Sequence, residues 1–234
     1  MASQLDVQQG LAEAIEALYC VFWPYPLVQH VEGCPCCVSA GDEDRLHRQS
    51  LRTITADKLH RYAFKAMTTW GTTEDFKHFL PRLFELVTAE ESIVDEMDAE
   101  VLFGKLIYAK WQQWPLQEQE AVKSYLDALW SFLLSRPPEV VTLDGFVCAY
   151  GQAVDDLMPY LEVWANTRTA FSIRHYFDFL GWNKTELQKR RLGNAFWSGR
   201  REQMQQVVEW ATSPETEKKM EQTLDLIGES AGRI

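Results

Sequence analysis

At 234 residues, with 46% apolar and 24% charged side chains, the chain can bury a sizeable core and lacks the composition of a disordered one. A net charge of −11 argues against a general nucleic-acid binder and against docking on an anionic membrane, and suits a soluble protein or one with a basic partner. No stretch reaches the roughly 18 apolar residues of a membrane span, and the opening Met1–Gly10 has neither a basic nor an apolar region to act as a signal peptide.

In chain order, Leu11, Ile15, Leu18 and Phe22 recur at helical spacing and predict a first helix that Pro24 and Pro26 end. An irregular segment is expected from about Tyr25 to Leu51. Thr55 is a candidate cap for a helix carrying Leu59, Tyr62, Ala63, Ala66 and Met67 inward, with Gly71 as its stop. Thr72 and Asp75 have the spacing of a reciprocal cap for the next helix, which Pro81 either kinks or restarts. A helix is expected over about Asp98–Lys110. Pro115 reads as the first residue of another, with Val122, Leu126, Leu129, Trp130 and Leu133 on one stripe.

Pro137 and Pro138 stop that helix, Thr142 caps the next, and Pro159 opens a short one with Leu161 and Trp164. Thr167 is expected to cap a helix with Ile173, Phe177 and Leu180 inward, closed by Gly181, followed by a basic helix over about Lys184–Trp197. Ser213-Pro214-Glu215 combines a capping hydroxyl, a fixed φ and a negative charge at the positive dipole end, so a last helix begins there with Met220, Leu224 and Ile227 buried and frays beyond Ser230. The runs Val140–Leu143 and Phe146–Ala149 are too short and isolated to make a sheet.

The expectation is a single all-α domain of about ten helices. The likeness of Phe79–Leu86 to Leu157–Trp164, at about twice a HEAT-type period, favours a short helical solenoid over an irregular bundle.

Four features bear on chemistry. Cys34 and Cys37 form a C-x-x-C pair that one turn can present to a tetrahedral zinc ion, with His30 or His47 completing the site and Cys36 as an alternative ligand. Five cysteines, three of them crowded, are not the disulfide framework of a secreted protein, which points to the cytoplasm; Cys20 and Cys148 read as core. Asp75 and His78, three residues apart on a helix, pair as orienter and base, against the plainer reading of buried Trp70 and Phe79 with solvated charges. Lys184, Lys189, Arg190, Arg191, Arg200 and Arg201, interleaved with Trp182, Phe196 and Trp197, form a patch that is either an RNA contact or self-paired. Glu90, Glu91, Asp95, Glu96, Asp98 and Glu100 form an acidic stretch suited to a basic partner.

The usual phosphate-loop, dinucleotide, zinc-protease and esterase signatures are missing from the sequence. The C-P-x-C turn, together with Tyr62-Ala63-x-Lys65-Ala66 and Thr69-Trp70-Gly71-x-x-x-Asp75-Phe76-Lys77-His78-Phe79-Leu80-Pro81-Arg82, resembles a family of bacterial helical proteins without an assigned activity. The resemblance covers about residues 30–87 and implies a bacterial origin. Together these readings favour a non-enzymatic interaction protein, of immunity or antitoxin type, that meets a basic toxin. The alternatives are a zinc module or metal-dependent enzyme on His30, Cys34 and Cys37, and an RNA-binding factor using Lys184–Arg201.

Overall fold

The computed structural model describes residues 4–88 and 98–231, with side chains as far as residue 224. Among the described residues the chain is all-α: eleven helices, three short 3-10 turns and no strand. No described helix is long and apolar enough to cross a membrane. The chain falls into two compact units, one from Gln8 to Leu129 and one built mainly from Trp130–Ile234.

The first unit contains most of α1 (Gln4–Phe22), α2 (Ala40–His47), α3 (Ala56–Lys65), α4 (Thr73–Val87), α5 (Ala99–Tyr108) and the start of α6 (Leu116–Leu134). The expected stripe of α1 is buried, and α3 packs on α2, α4 and α5. Helix α2 departs from the expected irregular segment. Ser39 Oγ accepts from Asp42 N–H and the Asp42 carboxylate accepts from Ser39 N–H, so eight residues coil behind a reciprocal cap. The same device at Thr72 and Asp75 starts α4 as expected, and Pro81 sits inside that helix rather than restarting it.

Helix α3 ends at Lys65, earlier than Gly71. Met67 adopts φ 61° and the chain turns back through Ala66–Trp70 instead of coiling on. The buried Lys105 of α5 donates from Nζ to the carbonyls of Phe64 and Ala66, at 2.8 and 2.9 Å, and so places a cation at the negative end of α3. Pro115 precedes α6 by one residue, its carbonyl accepting the first helical bonds.

The second unit contains the end of α6, α7 (Leu143–Ala153), α8 (Met158–Asn166), α9 (Ala170–Gln188), α10 (Arg201–Ala211) and α11 (Pro214–Ala231). Its core is aromatic. Trp164 meets Trp130, Phe179 and Trp210 at ring-centroid distances of 5.9, 5.9 and 5.0 Å, and Trp130 lies 4.7 Å from Tyr150. Such pairs add about 0.5–1.5 kcal/mol each to the area they bury. Two of the three indoles are satisfied, Trp130 Nε1 donating to Tyr160 O and Trp164 Nε1 to Ser172 O, whereas Trp210 Nε1 is buried without a partner among the described residues. A Cβ on Gly151 would stand 2.3 Å from the Trp197 ring, so α7 meets that ring only where it has no side chain.

Several expectations change here. The cap of α9 is Thr169, whose hydroxyl accepts from Ser172 N–H, and its buried face is Ile173, Tyr176 and Phe179 rather than Ile173, Phe177 and Leu180. Gly181 does not close α9, and a Cβ there would meet nothing within 4 Å. The expected basic helix over Lys184–Trp197 does not exist as such: α9 ends at Gln188, and Arg190 turns the chain at φ 57°. Helix α11 starts at Pro214 behind Ser213, with Met220 buried, but Leu224 is half exposed.

Candidate metal centre

The cysteine turn is held from both sides. Gly71 N–H donates to Glu32 O and Cys34 N–H to Thr69 O, so residues 32–34 and 69–71 clasp as a two-residue antiparallel pair. Both glycines are required there. Gly71 adopts φ 75°, and a Cβ on Gly33 would fall 2.8 Å from Val38 Cγ2. Beyond Cys34 the amides of Cys37 and Val38 both close on Cys34 O. The Cys37 carbonyl accepts from Arg61 and Lys65 of α3.

This framework brings three sulfurs together. Cys34 Sγ lies 3.0 Å from Cys36 Sγ, Cys36 Sγ lies 3.6 Å from Cys37 Sγ, and all three fall within 4.8 Å of one another. The turn is accessible, with Cys36 exposed and its neighbours partly so. The Cys36 and Cys37 thiols turned towards Cys34 stabilise its thiolate and lower its pKa; the same contacts push the Cys36 thiol up to about 11. Cys34 therefore ionises before Cys36.

A cluster of soft thiolates suits zinc or another thiophilic ion. Two sulfurs about 2.3 Å from a tetrahedral zinc stand roughly 3.8 Å apart, so this cluster needs small side-chain adjustments to close on the ion.

The structure brings Cys36 fully into the set with Cys34 and Cys37. It gives His30 and His47 a different partner: both imidazoles lie on Glu43 Oε1, His30 Nδ1 at 3.2 Å and His47 Nε2 at 3.0 Å. Glu43 also accepts from Val31 N–H at 2.7 Å and faces Trp70 Nε1 at 3.4 Å. This carboxylate, unmarked by any motif, ties the chain ahead of the cysteines to α2.

The remaining candidates are placed as follows. Asp75 spends its carboxylate on the α4 cap, while His78 Nδ1 contacts Tyr25 O at 2.7 Å, so the two do not form an orienter–base pair. Trp70 and Phe79 are buried as the plainer reading expects, but Lys77 is not solvated. It is buried, 2.6 Å from the buried Glu118, and lies over the rings of Tyr25 and Trp114. Of the basic residues, Lys189 and Arg191 pair with Glu186, and Arg200 donates to Gly151 O and Val154 O. Glu90, Glu91, Asp95 and Glu96 lie outside the described residues; Asp98 stands at the N-terminal boundary of α5 without a capping side-chain hydrogen bond, and Glu100 stands in its first turn. Cys148 is buried as expected, whereas Cys20 is exposed.

No protein-family model, curated protein or solved structure matches the chain.

Proposed function

We propose that this chain is a non-enzymatic bacterial interaction protein whose first unit is pinned by one zinc ion on Cys34, Cys36 and Cys37. The observation that carries the reading is the convergence of three sulfurs within 4.8 Å on a turn clamped at both ends by backbone hydrogen bonds. A metal there cross-links the turn before α2 within itself, next to its backbone clasp on residues 69–71, which gives a segment with few apolar side chains a reason to stay ordered. The fourth position goes to solvent or to a ligand from outside the cluster, such as His30 after release from Glu43. The chain purified without chelators is expected to carry about one equivalent of zinc by elemental analysis, lost together with thermal stability in C34S and C37S. Less than about a tenth of an equivalent, with unchanged melting on chelation, removes the metal reading.

The net charge of −11 supports a basic protein as the partner, with a toxin held by an immunity-type protein as the specific form. Association with such a partner is expected to weaken steeply with salt, chiefly through a slower on-rate. A partner bound equally well at low and high ionic strength speaks against this assignment.

A further inference from the structure

On another side of the first unit, the end of α1, the turn after it, residues Ser50–Arg52 and α4 enclose an open cavity of about 770 Å³. That is the size of a small-molecule site, and its walls are mostly rings: Tyr19, Phe22, Trp23, Tyr25 and Pro81. Trp23 stands at the cavity 85% exposed, an unusual position for the largest apolar side chain.

The hydroxyl, guanidinium and imidazole groups in the walls are already engaged, with one exception. Arg52 stacks on the Tyr19 ring at 3.8 Å and pairs through both terminal nitrogens with Glu16, at 2.6 and 2.7 Å. Tyr19 Oη donates to Glu85, and Tyr25 Oη donates to Glu118 while accepting from Lys77. Ser50 Oγ is bonded with Thr53 Oγ1. The exception is His78. Its Nδ1 faces the carbonyl of Tyr25, which can only accept, so Nδ1 carries the hydrogen. Partial burial favours the neutral ring. The Nε2 of a neutral ring with hydrogen on Nδ1 is a bare acceptor, and it is the ring's one remaining polar atom.

We infer that this cavity binds an uncharged aromatic molecule that donates one hydrogen bond to His78 Nε2. A charged ligand would find the walls' one cation, Arg52, already paired and no carboxylate among them. A purely aliphatic one would leave both the ring faces and the imidazole unused. The walls are fixed beforehand by the Tyr19–Glu85 and Tyr25–Glu118 bonds, so little ordering opposes binding. The site does not depend on the thiol cluster or on any metal.

Two probes of nearly equal shape test this by calorimetry on the whole chain: 4-phenylphenol, which has the donor, and 4-methoxybiphenyl, which does not. The phenol is expected to bind saturably and about five-fold more tightly than the ether, the worth of one net hydrogen bond. H78F is expected to erase that difference by weakening the phenol alone. W23A, at an exposed position that leaves folding undisturbed, is expected to weaken both alike. Bound phenol should also slow alkylation of Cys20, which lines the cavity, and leave that of Cys34, Cys36 and Cys37 unchanged, as read by peptide mass mapping. Equal affinity for the two probes, affinities unchanged in W23A, unprotected Cys20, or no saturable binding of either probe would each overturn the assignment.

Discussion

The unit from Gln8 to Leu129 and the unit built on Trp130–Ile234 solve the same problem by different means. In the first, long polar side chains do much of the tying. Lys105 reaches the end of α3, Glu43 gathers two histidines and a backbone amide, and Lys77 and Glu118 meet in the interior. In the second, rings meet rings edge-on or tilted, and the polar atoms of Trp130 and Trp164 reach nearby carbonyls. The difference matters because apolar packing tolerates imprecision, whereas a buried charge has to keep its partner. The first unit has the more demanding interior, and it also carries the thiol cluster and the aromatic cavity.

The largest expected effect tests the aromatic half. Trp164 is fully buried and touches Trp130, Tyr176, Phe179 and Trp210. W164A should cost about 3–5 kcal/mol, read from denaturant unfolding by circular dichroism. A loss below about 1 kcal/mol would mean that this cluster does not hold its unit together.

Next comes the ionic half. K77M leaves Glu118 buried without its cation and should cost about 3–5 kcal/mol, whereas the double variant K77M/E118L should recover most of that loss. The recovery is the informative part. A double variant as unstable as the single would show that the pair is needed for more than mutual neutralisation, and the contrast between the units would then be one of specificity rather than of tolerance.

A third test uses one histidine from each unit. Burial lowers the pKa of His78 and of His175, whose Nε2 donates to Arg136 O at 2.9 Å. The unfolded chain takes up these protons at higher pH than the folded one. The stability is therefore present above the ordinary histidine range and is lost as pH falls below about 6.5, by at most about 1.4 kcal/mol per pH unit for each ring. H78N and H175N should each flatten the acid limb of a stability–pH curve. A curve unchanged by both would place acid sensitivity on the carboxylates instead.

How far all this could be read from the sequence follows the same division. The stripes of α1 and α6 and the starts of α4 and α11 were legible because each signal lies within a few residues of what it controls. Helix α2 was legible in principle, since Ser39-x-x-Asp42 is the same cap as Thr72-x-x-Asp75, but the crowded cysteines and glycines around it argued for a loop. Gly181 misled because a helix interior accepts a glycine at modest cost when its neighbours hold the helix. At the thiol cluster the C-x-x-C spacing pointed to the right turn. The diversion of His30 and His47 to Glu43 was not legible, because it depends on where α2 places a carboxylate with no motif of its own. The exposure of Cys20 and the Lys77–Glu118 pair depend likewise on tertiary placement.

The smallest effect compares two tyrosines and carries the sharpest sign. Tyr62 in the first unit is buried against Trp70 and Phe79, and its hydroxyl has no hydrogen-bond partner among the described residues. Tyr176 in the second unit is equally buried but donates to Ala211 O at 3.2 Å. Removing an unsatisfied buried hydroxyl relieves a desolvation penalty, while removing a satisfied one strands its acceptor. Y62F is therefore expected to raise stability by about 0.5–1 kcal/mol and Y176F to lower it by about 1 kcal/mol, from matched denaturant melts. If both variants lose stability, Tyr62 Oη has a partner in solution, a bound water or a rearranged side chain, and the first unit is better satisfied inside than its hydrogen bonds indicate. If both gain, the 3.2 Å bond of Tyr176 contributes nothing, and the aromatic unit rests on packing alone.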